Sequence, residues 1–150
     1  MSDIFGKVLG TMLAFILLFF APFTMVTLSN EMVARRTIMN EMQSFIDEVI
    51  DTRAVTDKQL EDLYLGISGL GPICDVEVNR YVRVVDPDPI NQGKIYTTYV
   101  YSENNKEYNQ GDKVQLRVHA IGDTSAAKML RPIVGAWIDP IDYTFTARVR

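Results

Sequence analysis

The chain has one cysteine, one histidine and one tryptophan in 150 residues, and no excess of basic charge. A lone Cys74 excludes an intramolecular disulfide and any multi-cysteine zinc site. At the start of an apolar alternation it reads as a small buried hydrophobe, with pairing between two chains as the alternative. A lone His119 removes metal sites built from several His and Cys. It falls on the polar side of its segment, and its sequence neighbourhood supplies no partner for acid–base work. The net charge of −4 carries no basic footprint for nucleic acid. Arg35-Arg36 is the one basic pair that stands out, too little to hold a membrane surface electrostatically. Asp86, Asp88 and Asn91 lack the glycine and final glutamate of an EF-hand. Gly66, Gly69 and Gly71 follow no strand and form no phosphate fingerprint. The expectation is a non-enzyme with no catalytic, cofactor-binding or metal-binding residues and no small-molecule substrate.

What the chain does have is a long stretch without charge. Between Lys7 and Glu31 lie 23 uncharged residues, about 34 Å of helix, against a bilayer core of about 30 Å. A secretory signal has an apolar stretch of only about 7–15 residues, so Val8–Leu28 is expected to persist in the mature protein as a transmembrane segment. Leu9, Met12, Phe15, Ile16, Phe19, Phe20, Phe23, Met25 and Leu28 form its surface. Pro22 deletes one helical hydrogen bond within it and loosens the preceding turn.

The helical pattern does not end at the apolar run. Met25, Leu28, Met32, Met39, Met42, Ile46 and Val49 follow steps of three and four, with Arg35 in the seam. No Gly or Pro breaks residues 29 to 54. One helix of roughly 45 residues, about 65 Å long, is expected. Its seam of Met32, Met39, Met42, Ile46 and Val49 would pack against another subunit, or against the chain's own domain or a coiled-coil partner. Thr56 with Gln59 makes a capping box for a second helix carrying Leu60, Leu63, Tyr64 and Ile67.

Beyond residue 72 the period changes to two. "CDVEVNRYVRVV" alternates Cys74, Val76, Val78, Val82 and Val84, interrupted by Arg80. "KIYTTYVYS", "DKVQLRVHAI" and "IDYTFTARVR" follow as strands, the second of the four expected to pair with the strand after it. A short helix from about Thr124, broken at Pro132, separates the last two. The fold class is α+β: a long N-terminal transmembrane and amphipathic helix packed on a small C-terminal antiparallel sheet. The organisation is 1–28 transmembrane segment, 29–71 helical extension and short helix, 72–150 sheet domain.

A short polar leader, an apolar helix with Pro22, its amphipathic continuation and a C-terminal antiparallel sheet resemble type IV pilin-like proteins. "VEVNRYVRVV" and "DYTFTARVR" resemble in particular the tight-adherence (TadE-like) pilin-related family of Gram-positive bacteria. Where that family's processing motif has glycine before an apolar residue and glutamate at the fifth mature position, this chain has Gly6-Lys7 and Thr11. The resemblance implies a structural subunit, major or minor, of a surface filament or fimbrium. It implies membrane residence before assembly, no cofactor, and partners that are copies of itself, related pilins and an assembly platform. A different class, the single-pass anchored envelope binding or adaptor module, rests on the interface-prone Tyr96, Tyr99 and Tyr101.

Charge is unevenly distributed. Glu41 to Asp62 is strongly acidic, whereas Lys128, Arg131, Arg148 and Arg150 lie towards the C-terminus. A head-to-tail contact is expected in which Asp47 and Glu48 of one subunit meet Arg148 and Arg150 of the next.

Overall fold

A computed structural model of the chain describes residues 2–69, 72–87, 94–104, 106–134 and 139–150. Helix α1 spans Ser2–Thr52 without interruption, running through Pro22. Thr24 and Thr27 donate their hydroxyls back to the Ala21 and Phe23 carbonyls, so side chains supply bonding just past the proline. The helix stops at Arg53, whose φ of 54° is left-handed. The Arg53 carbonyl accepts from the Tyr108 N–H at 2.9 Å, and Val55 donates to Lys106 at 3.1 Å, which pins the exit of α1 to a distant loop.

Helix α2, Asp57–Ser68, begins at the expected box. Gln59 N–H donates to the Thr56 hydroxyl and Gln59 Oε1 accepts from Thr56 N–H. Gly66 lies inside α2, where a Cβ would stand 3.0 Å from Glu41 Oε2 of α1. That glycine lets the two helices approach closely.

Four strands follow in one antiparallel sheet: β1 Cys74–Pro87, β2 Ile95–Ser102, β3 Lys113–Ala120 and β4 Asp142–Arg148, in spatial order β2-β1-β3-β4. The fold is α+β, a long apolar-to-amphipathic helix packed on a small antiparallel sheet. The expectation that β2 pairs with the strand after it is corrected: β2 pairs back onto β1, and β3 pairs with the other edge of β1. The length of β1 permits this. Its first half, Cys74–Tyr81, takes β3, and its second half, Arg80–Pro87, takes β2. The β1–β2 hairpin therefore runs out beyond the body of the sheet as an arm, with Val85, Ile95, Tyr96, Val100 and Tyr101 exposed.

Helix α3, Ser125–Val134, starts where Thr124 accepts from Ala127 N–H, and it continues through Pro132 rather than breaking there. The Asp88 and Asn91 of the weak calcium pattern lie outside the described residues.

The core forms where one stripe of α1 meets the inner face of the sheet. Ile38, Met42, Phe45, Ile46 and Val49 are buried against Val114, Leu116 and Val118 of β3, with Leu63 and Ile67 of α2 sealing the side. Cys74, Val76, Val78, Tyr143, Phe145 and Ala147 complete it as half-buried neighbours, as the alternation in each strand predicts. Cys74 is thus a packing residue, and burial pushes its thiol above the ordinary range.

Candidate functional site

The N-terminal part of α1 is apolar around its whole circumference. Leu9, Met12, Phe15, Ile16, Phe19, Phe20, Pro22, Phe23, Met25 and Leu28 are all exposed. This part of the helix is long and apolar enough to cross a membrane, and none of its apolar window is buried inside the rest of the chain. It is compatible with a single-pass anchor. Thr11 donates its hydroxyl to the Lys7 carbonyl at 2.7 Å and is satisfied within the helix. The head approaches only the end of the apolar run. Phe23, Thr27 and Ala34 share a cleft with Pro72 and the start of α3.

The seam expected to join subunits divides in two. Met42, Ile46 and Val49 are sealed in the chain's own core and present nothing to a second subunit, whereas Met32 and Met39 are exposed. The reason is helical phase. A strict seven-residue repeat drifts about 20° per heptad relative to a straight helix. Upstream of Met42 the buried stripe therefore follows Ile38 and Ala34, leaving Met39 and Met32 on the flank. Arg35, which interrupts the apolar pattern, donates to the Asp139 carbonyl at 2.6 Å and pairs with Glu31 at 3.0 Å. It ties α1 to the segment entering β4.

The second interruption, Arg80, has a stronger partner. Its guanidinium donates twice to Asp112 Oδ2, at 3.0 and 2.6 Å, and both side chains are buried. Asp112 also accepts from the backbone N–H groups of Asn109 and Arg83. Burial disfavours the Asp112 carboxylate, but those N–H donors and the Arg80 charge outweigh it and hold the group below the usual carboxylate range. Arg80 also lies over the Tyr108 ring at 5.4 Å. The Tyr108 hydroxyl is buried without a partner, and burial raises it to about 12.

This buried pair fixes the turn before β3, and the turn floors a groove of about 1350 Å³. Asp47, Asp51 and Arg53 at the end of α1 form one side; Arg83, Arg148 and Arg150 form the other. Gly111, at φ 96°, sits between, and a Cβ there would meet Arg83 Cδ at 3.0 Å. The charges expected to meet between two subunits, Asp47 with Arg148 and Arg150, are thus gathered around one groove of a single chain, while Glu48 does not line it. Their intramolecular neighbourhood arises because β4 returns alongside the C-terminal half of α1.

On the outer face of the sheet, which also carries Arg83 and Arg148, Asp75, Glu77 and His119 bring three ligand-type atoms within 4.8 Å of one another. His119 Nε2 stands 3.8 Å from Asp75 Oδ2. Arg117 lies 4.0 Å from Glu77 and holds Asp142 at 2.9 Å, so cationic charge already serves this acidic patch. Sequence reading missed the cluster because Asp75 and His119 are brought opposite one another only by the β1–β3 register. It missed the arginine groove for the same reason.

Comparison with protein-family models, curated proteins and solved structures finds no match to the chain.

Proposed function

We propose that the chain is a structural subunit, major or minor, of a type IV pilus-like surface filament. It would reside in the cell membrane as a single-pass protein and then polymerise through the apolar half of α1, with itself, related pilins and an assembly platform as partners. The observation that carries this reading is the uninterrupted α1, apolar and largely exposed from Val8 to Leu28 and packed into the head from Ala34 onward. In lipid such a surface associates by packing. Withdrawn from lipid, it is driven into contact with its neighbours by burial. Each large side chain contributes about 1.5–3 kcal/mol when fully buried, whereas exposed ion pairs contribute about 0–1 kcal/mol. The helix would therefore supply affinity, and surface charges would choose register. Met32 and Met39 extend the available seam; Met42, Ile46 and Val49 do not.

The test is electron microscopy and intact-mass analysis of material sheared from cells that produce the chain. Filaments containing the chain with residues 8–28 present are the expected result. Chain found solely as monomers in the membrane fraction overturns the reading. That outcome favours a single-pass anchored envelope module, for which the exposed arm with Tyr96 and Tyr101 and the arginine groove would be the interaction surfaces.

A further inference from the structure

The groove between the end of α1 and the end of β4 has features that a solvated charged surface does not require. Arg53, Arg83, Arg148 and Arg150 all line it. Among the described residues, none of the four has a carboxylate within the 4.0 Å of an ion pair. Two of them converge. From the point a Gly111 Cβ would occupy, Arg83 Nη1 is 3.4 Å away and Arg148 Nη2 is 3.6 Å away, so these nitrogens stand no more than about 7 Å apart. Like charges so placed repel, while the backbones that carry them are fixed. The Arg83 backbone is fixed by Asp112, the turn by the Arg80–Asp112 pair, and β4 by its ladder with β3. Glycine at 111 leaves the space between the two side chains open.

We propose that this groove binds a phosphoryl oxyanion, bridged between the Arg83 and Arg148 guanidinium groups, with Arg150 extending that wall and Arg53 facing it from the side that also carries Asp47 and Asp51. Charge-assisted N–H···O bonds run about 2.7–2.9 Å, so two of them to different oxygens of one tetrahedral group span the gap. The two guanidinium groups come from β1 and β4, on different strands of the sheet. A tetrahedral anion offers oxygens in several directions, whereas a carboxylate confines both to one plane. Arginine forks are suited to such ligands.

Position narrows the source. Asp47 and Asp51 lie 19 and 23 residues beyond Leu28 along α1, about 28–34 Å at the helical rise. The site is thus well away from a membrane crossed by the apolar run, and lipid headgroups of that membrane do not reach it. The phosphoryl group is free in solution or carried on a polymer outside that surface. This inference is independent of whether the chain polymerises.

The experiment is isothermal titration of the full chain in neutral detergent, at low ionic strength, with inorganic pyrophosphate, a soluble polyphosphate and succinate. Expected results are saturable binding of pyrophosphate and a loss of at least tenfold in affinity for Arg83→Gln and for Arg148→Gln. Arg117→Gln, whose guanidinium is held by Glu77 and Asp142 outside the groove lining, should leave binding unchanged. Arg83→Lys, which keeps charge and loses the fork, should fall between. Tighter binding of polyphosphate than pyrophosphate identifies a polymeric source; equal binding identifies a free one. Absence of pyrophosphate binding, equal binding of succinate, or equal losses in Arg117→Gln and the groove variants overturns the proposal. So does an oligomer that Arg148→Glu dissociates while pyrophosphate fails to bind, since the groove is then a protein contact. Thermal melts of each variant separate lost binding from lost folding.

Discussion

Residues 4–33 and residues 34–52 belong to one helix, yet the first stretch is bare except at half-buried Thr24, Thr27 and Glu31, and the second is sealed along one stripe against the sheet. The difference lies in the angular width of the apolar surface rather than in its presence. From Val8 to Leu28 the first stretch is apolar all round, which suits a lipid or multi-helix environment. The second alternates a core stripe with Asp47, Glu48 and Asp51, which suits a helix lying on a domain. The same backbone thus joins an exposed apolar half, compatible with a single-pass anchor, to the head without a break.

The sharpest way to break this contrast is to place a charge in each half. Met42→Arg should unfold the head while the apolar half still carries the chain to the membrane fraction, because an unpaired charge in a packed core has no compensating partner. Ile16→Arg should do the reverse, weakening insertion by about 2.5–3.5 kcal/mol with an unchanged melt of the head. Fractionation and thermal melting measure both. If Met42→Arg leaves the melt intact, the packing described for the second half is wrong.

Removing the buried carboxylate comes next in size. Asp112→Asn leaves Arg80 buried without its counter-charge and should cost about 3–5 kcal/mol in denaturant unfolding. The same group gives a pH signature. Its folded pKa is depressed below the ordinary 3.8, so its contribution is present above that value and is lost as pH falls through the folded pKa. Wild-type stability should decline below about pH 4 more steeply than that of Asp112→Asn.

A neutral truncation makes the comparison quantitative. Met42→Ala should cost about 2–5 kcal/mol, and Met25→Ala, on the exposed half, should stay within about 0.5 kcal/mol in the same assay. Equal losses would mean that the apolar half also packs on the head.

The smallest effect is expected at Tyr108, whose hydroxyl is buried without a partner. Tyr108→Phe removes a desolvated polar group and should leave stability unchanged or raise it by up to about 1 kcal/mol. A loss above that, read from the denaturation midpoint, would reveal a bonded hydroxyl.

Local chemistry made much of this molecule legible. The uninterrupted run from Val8 to Leu28, the Thr56–Gln59 box and the period-two alternation around Val114, Leu116 and Val118 each act over a few residues, so each was readable in order along the chain. The α+β class follows from them, because a half-apolar sheet and an amphipathic stripe have to cover one another. Arg80 and Arg35 show where such reading stops. Both looked like flaws in an apolar pattern, yet each is bonded to a group far along the chain: Asp112 for Arg80, the Asp139 carbonyl for Arg35. A period records which face a residue occupies and not what faces it.

The strand order, the projecting β1–β2 arm, the burial of Met42 but not Met39, and the gathering of Arg53, Arg83, Arg148 and Arg150 around Gly111 all depended on the folded chain. Each is set by register between elements distant in sequence. A shift of one residue in a strand, or of a fraction of a turn in a helix, exchanges the faces that meet. Environment and periodicity are therefore written along the sequence, whereas partnership between side chains is fixed only when the long helix, the sheet and its turns close on one another.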